Sequence, residues 1–181
     1  MGKLSSGKES FMKKLFVLAM IALFGLTFAG ITTATAEECG TGSPGYWKNH
    51  PEAWGVMNIT VGGVTYTVNE AIDIMKLPVK GDKSLTLFPA VVAAMLNVQN
   101  NCPPPPSPPD CPPLTETQCW PNGECRPIEQ ANLWLAAYGV GTDVRANSEM
   151  WQFSHGENIY LCLDAYNNGF LPGIPSRDSF E

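Results

Sequence analysis

Residues 85–96 read Leu-Thr-Leu-Phe-Pro-Ala-Val-Val-Ala-Ala-Met-Leu, and this apolar stretch decides the fold class of the chain. Its large side chains recur three or four positions apart, at Leu85, Phe88, Val92, Met95 and Leu96. That spacing places them on one face of an α-helix, with Pro89 near the first turn, where proline costs least. The stretch predicts one long helix of a mainly α-helical domain.

The residues before this helix predict a hairpin and a shorter helix. Two β-prone runs, 59–61 and 64–67, are separated by Gly62-Gly63, a strong hairpin signal. Thr67 and Glu70 have the spacing of a capping box, which opens a helix that runs through Leu77. A further short helix is expected at residues 50–54, with Pro51 in its first position.

The second half of the chain also predicts helices. One begins at Pro127 and ends at Gly139, and another starts near Ser148 and continues to Asn167, with Gly156 able to split it in two. We therefore expect four to five helices, one short β-hairpin and a loop rich in Pro and Cys. The fold class is mainly α, in a small disulfide-stapled domain.

Residues 1–36 have the pattern of a secretory signal peptide. Lys13 and Lys14 precede an apolar run at residues 15–28, and Ala34-Thr35-Ala36 is a small-residue cleavage pattern. The run is shorter than the roughly 20 apolar residues that a spanning helix needs. Either Met1 or Met12 could be the start of this leader.

Removal of the leader leaves a single expected domain, residues 37–181, with an acidic surface. The leader carries four Lys and one Glu, so the net charge of −6 for the whole chain becomes −9 for the exported part. This charge argues against nucleic acid and, after signal cleavage, against membranes as partners. The predicted location is secreted or cell-surface, and the predicted partner is an extracellular protein or a glycan.

All six cysteines follow the leader, and an oxidising compartment favours three disulfides. Six cysteines allow 15 pairings. The turn-forming Pro-Asn-Gly between Cys119 and Cys125 favours a bond between those two. For the remaining four we expect pairs of Cys102 with Cys111 and of Cys39 with Cys162.

Residues 102–125 form an insert that contains four of the cysteines, and eight of the 16 prolines lie between 103 and 113. A run of this composition favours polyproline II conformation. It could be a ligand for an aromatic groove, although the flanking Cys102 and Cys111 favour a semi-rigid loop.

Two His-x-Glu pairs are the weak candidates for a metal site. They are His50 with Glu52, and His155 with Glu157. Imidazole and carboxylate groups could together hold a metal and support a secreted metal-dependent hydrolase using His50 and His155. The standard zinc spacings are missing, and residues two apart on a helix do not face each other.

Aromatic residues are the candidates for ligand binding. Tyr46, Trp47 and Trp120, together with His50, could stack on a sugar or anchor a protein partner. This set would support a carbohydrate-binding module. The remaining large set of Trp residues, at positions 54, 134 and 151, has the spacing of core packing.

Residues 45–54, Gly-Tyr-Trp-Lys-Asn-His-Pro-Glu-Ala-Trp, resemble a segment of uncharacterised secreted and cell-surface proteins of bacteria and archaea. The likeness extends to residues 62–66, 78–82 and 93–97, and closes with Leu-Asp-Ala-Tyr-Asn-Asn-Gly at 163–169. The resemblance implies secretion and one helical domain, and it transfers no catalytic residue. The insert at 102–125 departs from the shared pattern.

The best-supported function class is an exported interaction or structural module without catalysis. The sequence has no Gly-x-Ser-x-Gly elbow and no Gly-rich phosphate loop, and three disulfides leave no thiol nucleophile. No cofactor is expected. The metal-dependent hydrolase and the carbohydrate-binding module remain as alternatives.

Overall fold

The computed structural model describes residues 39–105, 126–171 and 176–177, all within one compact unit, Glu38–Glu181. The described residues form six α-helices, one 3-10 helix and one two-stranded antiparallel hairpin. The helices are α1 (Pro44–Asn49), α2 (Val68–Met75), α3 (Lys83–Gln99), α4 (Pro127–Tyr138), α5 (Glu149–Gln152) and α6 (Gly156–Asn167). The 3-10 helix spans Pro51–Trp54, and the strands are β1 (Asn58–Val61) and β2 (Val64–Thr67). The predicted mainly α fold with one hairpin is confirmed.

The long helix α3 forms the centre of the core. It packs against α4 and α6, and those two helices also pack against each other. Phe88, Val92 and Leu96 are buried as the spacing predicts. The prediction for Pro89 was wrong, because the helix begins six residues earlier, at Lys83, and Pro89 lies inside it.

The hairpin has the predicted position and turn. Gly62 and Gly63 both have positive φ, which suits a tight two-residue connection between strands. Ile59 and Val61 point into the core, and the turn lies on α4, where the Gly62 amide donates to Asn132 Oδ1 at 2.9 Å. A Cβ on Gly62 would come within 2.9 Å of the Leu135 backbone, so this close approach requires glycine.

The capping box that opens α2 is also confirmed. Thr67 Oγ1 accepts from the Glu70 amide, and Glu70 Oε2 accepts from the Thr67 amide at 2.8 Å. The Thr67 amide and the Thr67 hydroxyl both donate to Glu70 Oε2 and lower the pKa of the Glu70 carboxyl, with the amide contributing most. The helix ends at Met75, two residues before the predicted end at Leu77.

The single-turn helix α1 was not predicted. Residues 40–45 are rich in glycine, but the Ser43 side chain accepts from the Tyr46 amide and Pro44 occupies the first turn. The predicted helix at residues 50–54 is the 3-10 helix Pro51–Trp54. The predicted split between α5 and α6 is present, but it lies at residues 153–155, and Gly156 is the first residue of α6. These short elements account for most of the difference in helix number.

Two of the predicted disulfides are wrong, because Cys39 is bonded to Cys102. The N-terminal segment packs against the C-terminal end of α3 through Gly42 and Asn97, and this packing places Cys39 beside Cys102. Cys162 is also disulfide-bonded, to a cysteine other than Cys39 and Cys102. The predicted pair of Cys119 with Cys125 lies outside the described residues, as does Cys111.

Candidate functional site

A buried polar network joins three segments of the chain at Asn97 on α3. The Asn97 Oδ1 atom accepts from the Gly42 amide at 2.7 Å and from Trp47 Nε1 at 2.9 Å. Its Nδ2 group donates to the Gly42 carbonyl at 3.1 Å and to Asn167 Oδ1 at 2.9 Å. Asn97 and Asn167 are 0% exposed. All four hydrogen-bonding positions of the Asn97 amide are therefore occupied.

The network continues at both of its ends. Asn167 Nδ2 donates to the Ala90 carbonyl at 2.8 Å, which fixes α6 on α3. Trp54 Nε1 donates to the Trp47 carbonyl at 2.7 Å, and both indoles are 0% exposed. Trp47 therefore holds the fold together and has no exposed face with which to bind a ligand at the surface. Neither Asn97 nor Asn167 is among the predicted site residues, and the available signal was a polar residue directly after the apolar run 85–96.

Tyr46 and His50 lie at the surface beside this network. Their rings stack with centroids 4.4 Å apart, and the Arg177 guanidinium lies 5.5 Å from the Tyr46 centroid. His50 Nδ1 lies 3.1 Å from Glu52 Oε1. Hydrogen bonds from the Glu52 backbone amide and from His50 hold the pKa of the Glu52 carboxyl below its usual value. The Tyr46 ring also packs edge to face on the Trp47 ring, with centroids 5.1 Å apart, so it has three neighbours within the fold.

The second His-x-Glu pair lies at the start of α6. Glu157 Oε2 accepts from Lys83 Nζ at 2.8 Å and from Trp151 Nε1 at 3.1 Å. These two donors, Lys83 foremost, hold the pKa of the Glu157 carboxyl below its usual value. His155 is exposed and has a left-handed backbone conformation, with φ of 53°.

The structure does not bring the two His-x-Glu pairs together. His50 lies beside the segment anchored on Asn97, whereas Glu157 is bound to Lys83 at the other end of α3. Lys83 and Asn97 are 14 positions apart on this helix, which corresponds to about 21 Å at 1.5 Å per residue. Among the described residues, no group of three or more His, Cys, Asp or Glu side chains could hold a metal ion.

A second buried polar cluster, centred on Asp82 and called the Asp82 node, caps the start of α3. Its residues are not among the predicted site residues. Asp82 accepts from the Ser84 amide and hydroxyl through Oδ1, both at 2.8 Å, and from the Asp143 amide through Oδ2 at 2.9 Å. Burial acts to raise the pKa of Asp82, but these hydrogen bonds outweigh it and the pKa is lowered. The Ser84 hydroxyl also accepts from the Gly141 amide at 2.8 Å, so the node fixes the loop after α4. The available signal was an Asp directly before a helical pattern.

The short helix α5 presents a different type of surface. Met150 and Phe153 are 44% and 78% exposed, and their spacing of three places them on the same side of the helical turn. Below them, Trp134 Nε1 donates to the Met150 carbonyl at 3.1 Å and to Ser154 Oγ at 2.8 Å. We call Met150 and Phe153 the α5 surface. Sequence analysis had assigned neither residue a role.

Trp120, the remaining aromatic candidate, lies outside the described residues. Trp54, Trp134 and Trp151 are buried in the core, as the spacing predicted. No helix among the described residues is long and apolar enough to span a membrane. Comparisons with protein-family models, with curated proteins and with solved structures return no match to this chain.

Proposed function

We propose that residues 37–181 are an exported, non-catalytic module that binds another extracellular protein through the α5 surface. Two observations support export: the composition of residues 1–36, and the Cys39–Cys102 disulfide, a bond typical of oxidising compartments. The helical domain agrees with the resemblance to secreted and cell-surface proteins.

The exposed pair on α5 is the observation that carries the binding role. An aromatic side chain that is 78% exposed and stands beside an exposed Met has the composition of a protein-binding anchor. The Trp134 and Trp151 rings beneath pack edge to face at 5.2 Å, and hydrogen bonds tie Trp134 to this turn. Trp134 and Trp151 therefore fix the position of the turn that carries Met150 and Phe153. This reduces the conformational entropy that would be lost on binding.

The distribution of polar groups supports a role without catalysis. The two buried nodes, at Asn97 and at Asp82, have their hydrogen bonds made within the fold. Glu157 is bound to Lys83 and Trp151. The net charge of −9 favours a partner with a basic rim around an apolar contact, and it predicts faster association at low salt.

Site-specific photo-cross-linking in the cells that encode the protein tests this proposal. A photoreactive phenylalanine analogue replaces Phe153 in the full chain, and the same analogue at Asn69, an exposed position on α2, is the matched control. We expect one discrete protein adduct from position 153 and none from position 69. Met150→Ser should reduce the yield of that adduct severalfold, because it removes the neighbouring anchor.

Two outcomes would contradict the binding role. One is the absence of an adduct from position 153, and the other is an identical set of adducts from both positions. A protein that stays inside the cell with its leader attached would contradict export.

A further inference from the structure

We propose that Asn58 is a glycosylation site, modified on its side-chain amide with an oligosaccharide during export. The inference rests on the proposed export, because the lipid-linked sugar donor and its transferase act where exported chains emerge. Asn58-Ile59-Thr60 is the single Asn-x-Ser/Thr sequence in the whole chain.

The hairpin presents both residues of the sequon on its outer face. In β1 the side chains alternate between exposed and buried, so Asn58 and Thr60 point outward while Ile59 and Val61 point into the core. The register pairs Asn58 with Thr67 and Thr60 with Thr65. All four of these side chains are exposed.

This outer face has the properties that an attached sugar requires. It consists of one amide and three hydroxyl side chains, so a glycan lying over it would cover no apolar core residue. Within the described part of the chain, no hydrogen bond engages the Asn58 side chain. Attachment at Asn58 Nδ2 therefore breaks no contact of the fold. The buried Asn97, whose amide has four hydrogen bonds, shows the opposite situation.

The chemistry is transfer of a sugar from a polyprenyl diphosphate donor. The Asn58 Nδ2 atom attacks C1 of the first sugar, a C–N bond forms, and the C1–O bond to the diphosphate breaks. The amide nitrogen loses one proton to a base of the transferase, and the polyprenyl diphosphate leaves. In the folded hairpin the Thr60 hydroxyl lies 2.9 Å from the Thr65 hydroxyl. Before β1 pairs with β2, this hydroxyl has no competing bond to Thr65 and is available to the transferase.

Mass spectrometry of the protein exported by its own cells tests the proposal. We expect the peptide that contains Asn58 to carry the added mass of an oligosaccharide. Asn58→Gln and Thr60→Ala should each lower the modified fraction at least tenfold, because each destroys the sequon. Thr60→Ser should retain the modification, because Ser also satisfies the sequon.

Thr65→Ala is the matched structural control. It removes the same Thr60–Thr65 hydrogen bond as Thr60→Ala but leaves the sequon intact, so it should keep the glycan. Equal loss of glycan in Thr65→Ala and Thr60→Ala would overturn the sequon argument. The urea midpoint of Asn58→Gln, expressed without glycosylation, should equal that of the wild type.

The same sample separates this inference from the proposed export. A chain that is cleaved after Ala36 and found outside the cell with an unmodified Asn58 would overturn glycosylation alone. An intracellular chain that retains residues 1–36 would overturn both.

Discussion

Replacing Asn97 by Asp tests the buried network with a side chain of nearly the same size. The Oδ1 position would keep its bonds from the Gly42 amide and Trp47 Nε1. At the other position, an oxygen would replace the amide that now donates to the Gly42 carbonyl and to Asn167 Oδ1. The Gly42 carbonyl and Asn167 Oδ1, which are both acceptors, would then face the oxygen of the introduced carboxyl, at a position that is 0% exposed.

The cost can be worked out in two steps. A protonated carboxyl can donate to one of the two acceptors, and the other is left without a donor at a cost of about 1–3 kcal/mol. Burial raises the pKa of a carboxyl by several units, and a rise of three units costs about 4 kcal/mol at pH 7. The total of about 5–7 kcal/mol is comparable to the whole stability of a small domain.

The sign of the pH dependence follows from the raised pKa. The introduced carboxyl has a higher pKa in the folded than in the unfolded state. Its smallest cost therefore lies below the unfolded pKa of about 3.9, and the cost grows as the pH rises toward the folded pKa. The loss in free energy of unfolding should increase from about 1–3 kcal/mol near pH 4 to about 5–7 kcal/mol at pH 7.

Urea unfolding of the oxidised chain 37–181, followed by Trp fluorescence at several pH values between 4 and 7, measures this difference. Asn69→Asp on α2 is the control, since Asn69 is exposed and should change stability by no more than about 0.5 kcal/mol. A loss in the free energy of unfolding of Asn97→Asp that stays constant over this pH range would refute the assigned network. A loss that stays below about 1 kcal/mol would refute it as well.

Three further variants test other parts of the fold. Cys39→Ala should lower the free energy of unfolding by about 4 kcal/mol in denaturant titrations, because the lost bond closes a separation of 63 residues; an unchanged midpoint would contradict the assigned bond. Gly156→Ala should lower the melting temperature by many degrees, since its Cβ would clash with the Trp151 ring. Gly45→Ala, with 3.4 Å to its nearest neighbour, should leave the melting temperature nearly unchanged. Glu157→Gln should make the free energy of unfolding less dependent on pH in the acid range. The pKa of Glu157 is lowered in the folded state, so its contact with Lys83 stabilises the wild type above the ordinary Glu value of 4.5. This stabilisation is lost as the pH falls through the folded pKa. An acid limb of the same slope in both proteins would contradict that contribution.

The parts of the fold that sequence predicts well are those with local causes. The Gly62-Gly63 turn and the Thr67–Glu70 box each depend on residues within a few positions, so their patterns specify the geometry. Helix α1 escapes prediction because one turn contains no hydrophobic period. The Ser43 cap was its local signal.

The long-range contacts could not be predicted in this way. The Cys39–Cys102 bond depends on where the N-terminal segment lies, and that position is set by Asn97 and Asn167, which come from two separate helices. Periodicity assigns a helix face but does not specify which polar residue faces which partner. The burial of Trp47 could not be predicted for the same reason, since it depends on a long-range bond to Asn97.

The Cys39–Cys102 bond also determines how the domain would respond to a pulling force. Tension that enters the chain at its N-terminal end passes through the sulfur atoms directly to Cys102 and bypasses the chain between them. A separation of 63 residues, fully extended, corresponds to about 210–230 Å of length that stretching cannot release. Helices α1 to α3 and the hairpin would therefore remain closed under load. A module anchored at a surface would keep Asn58 and its hairpin in this shielded part of the chain.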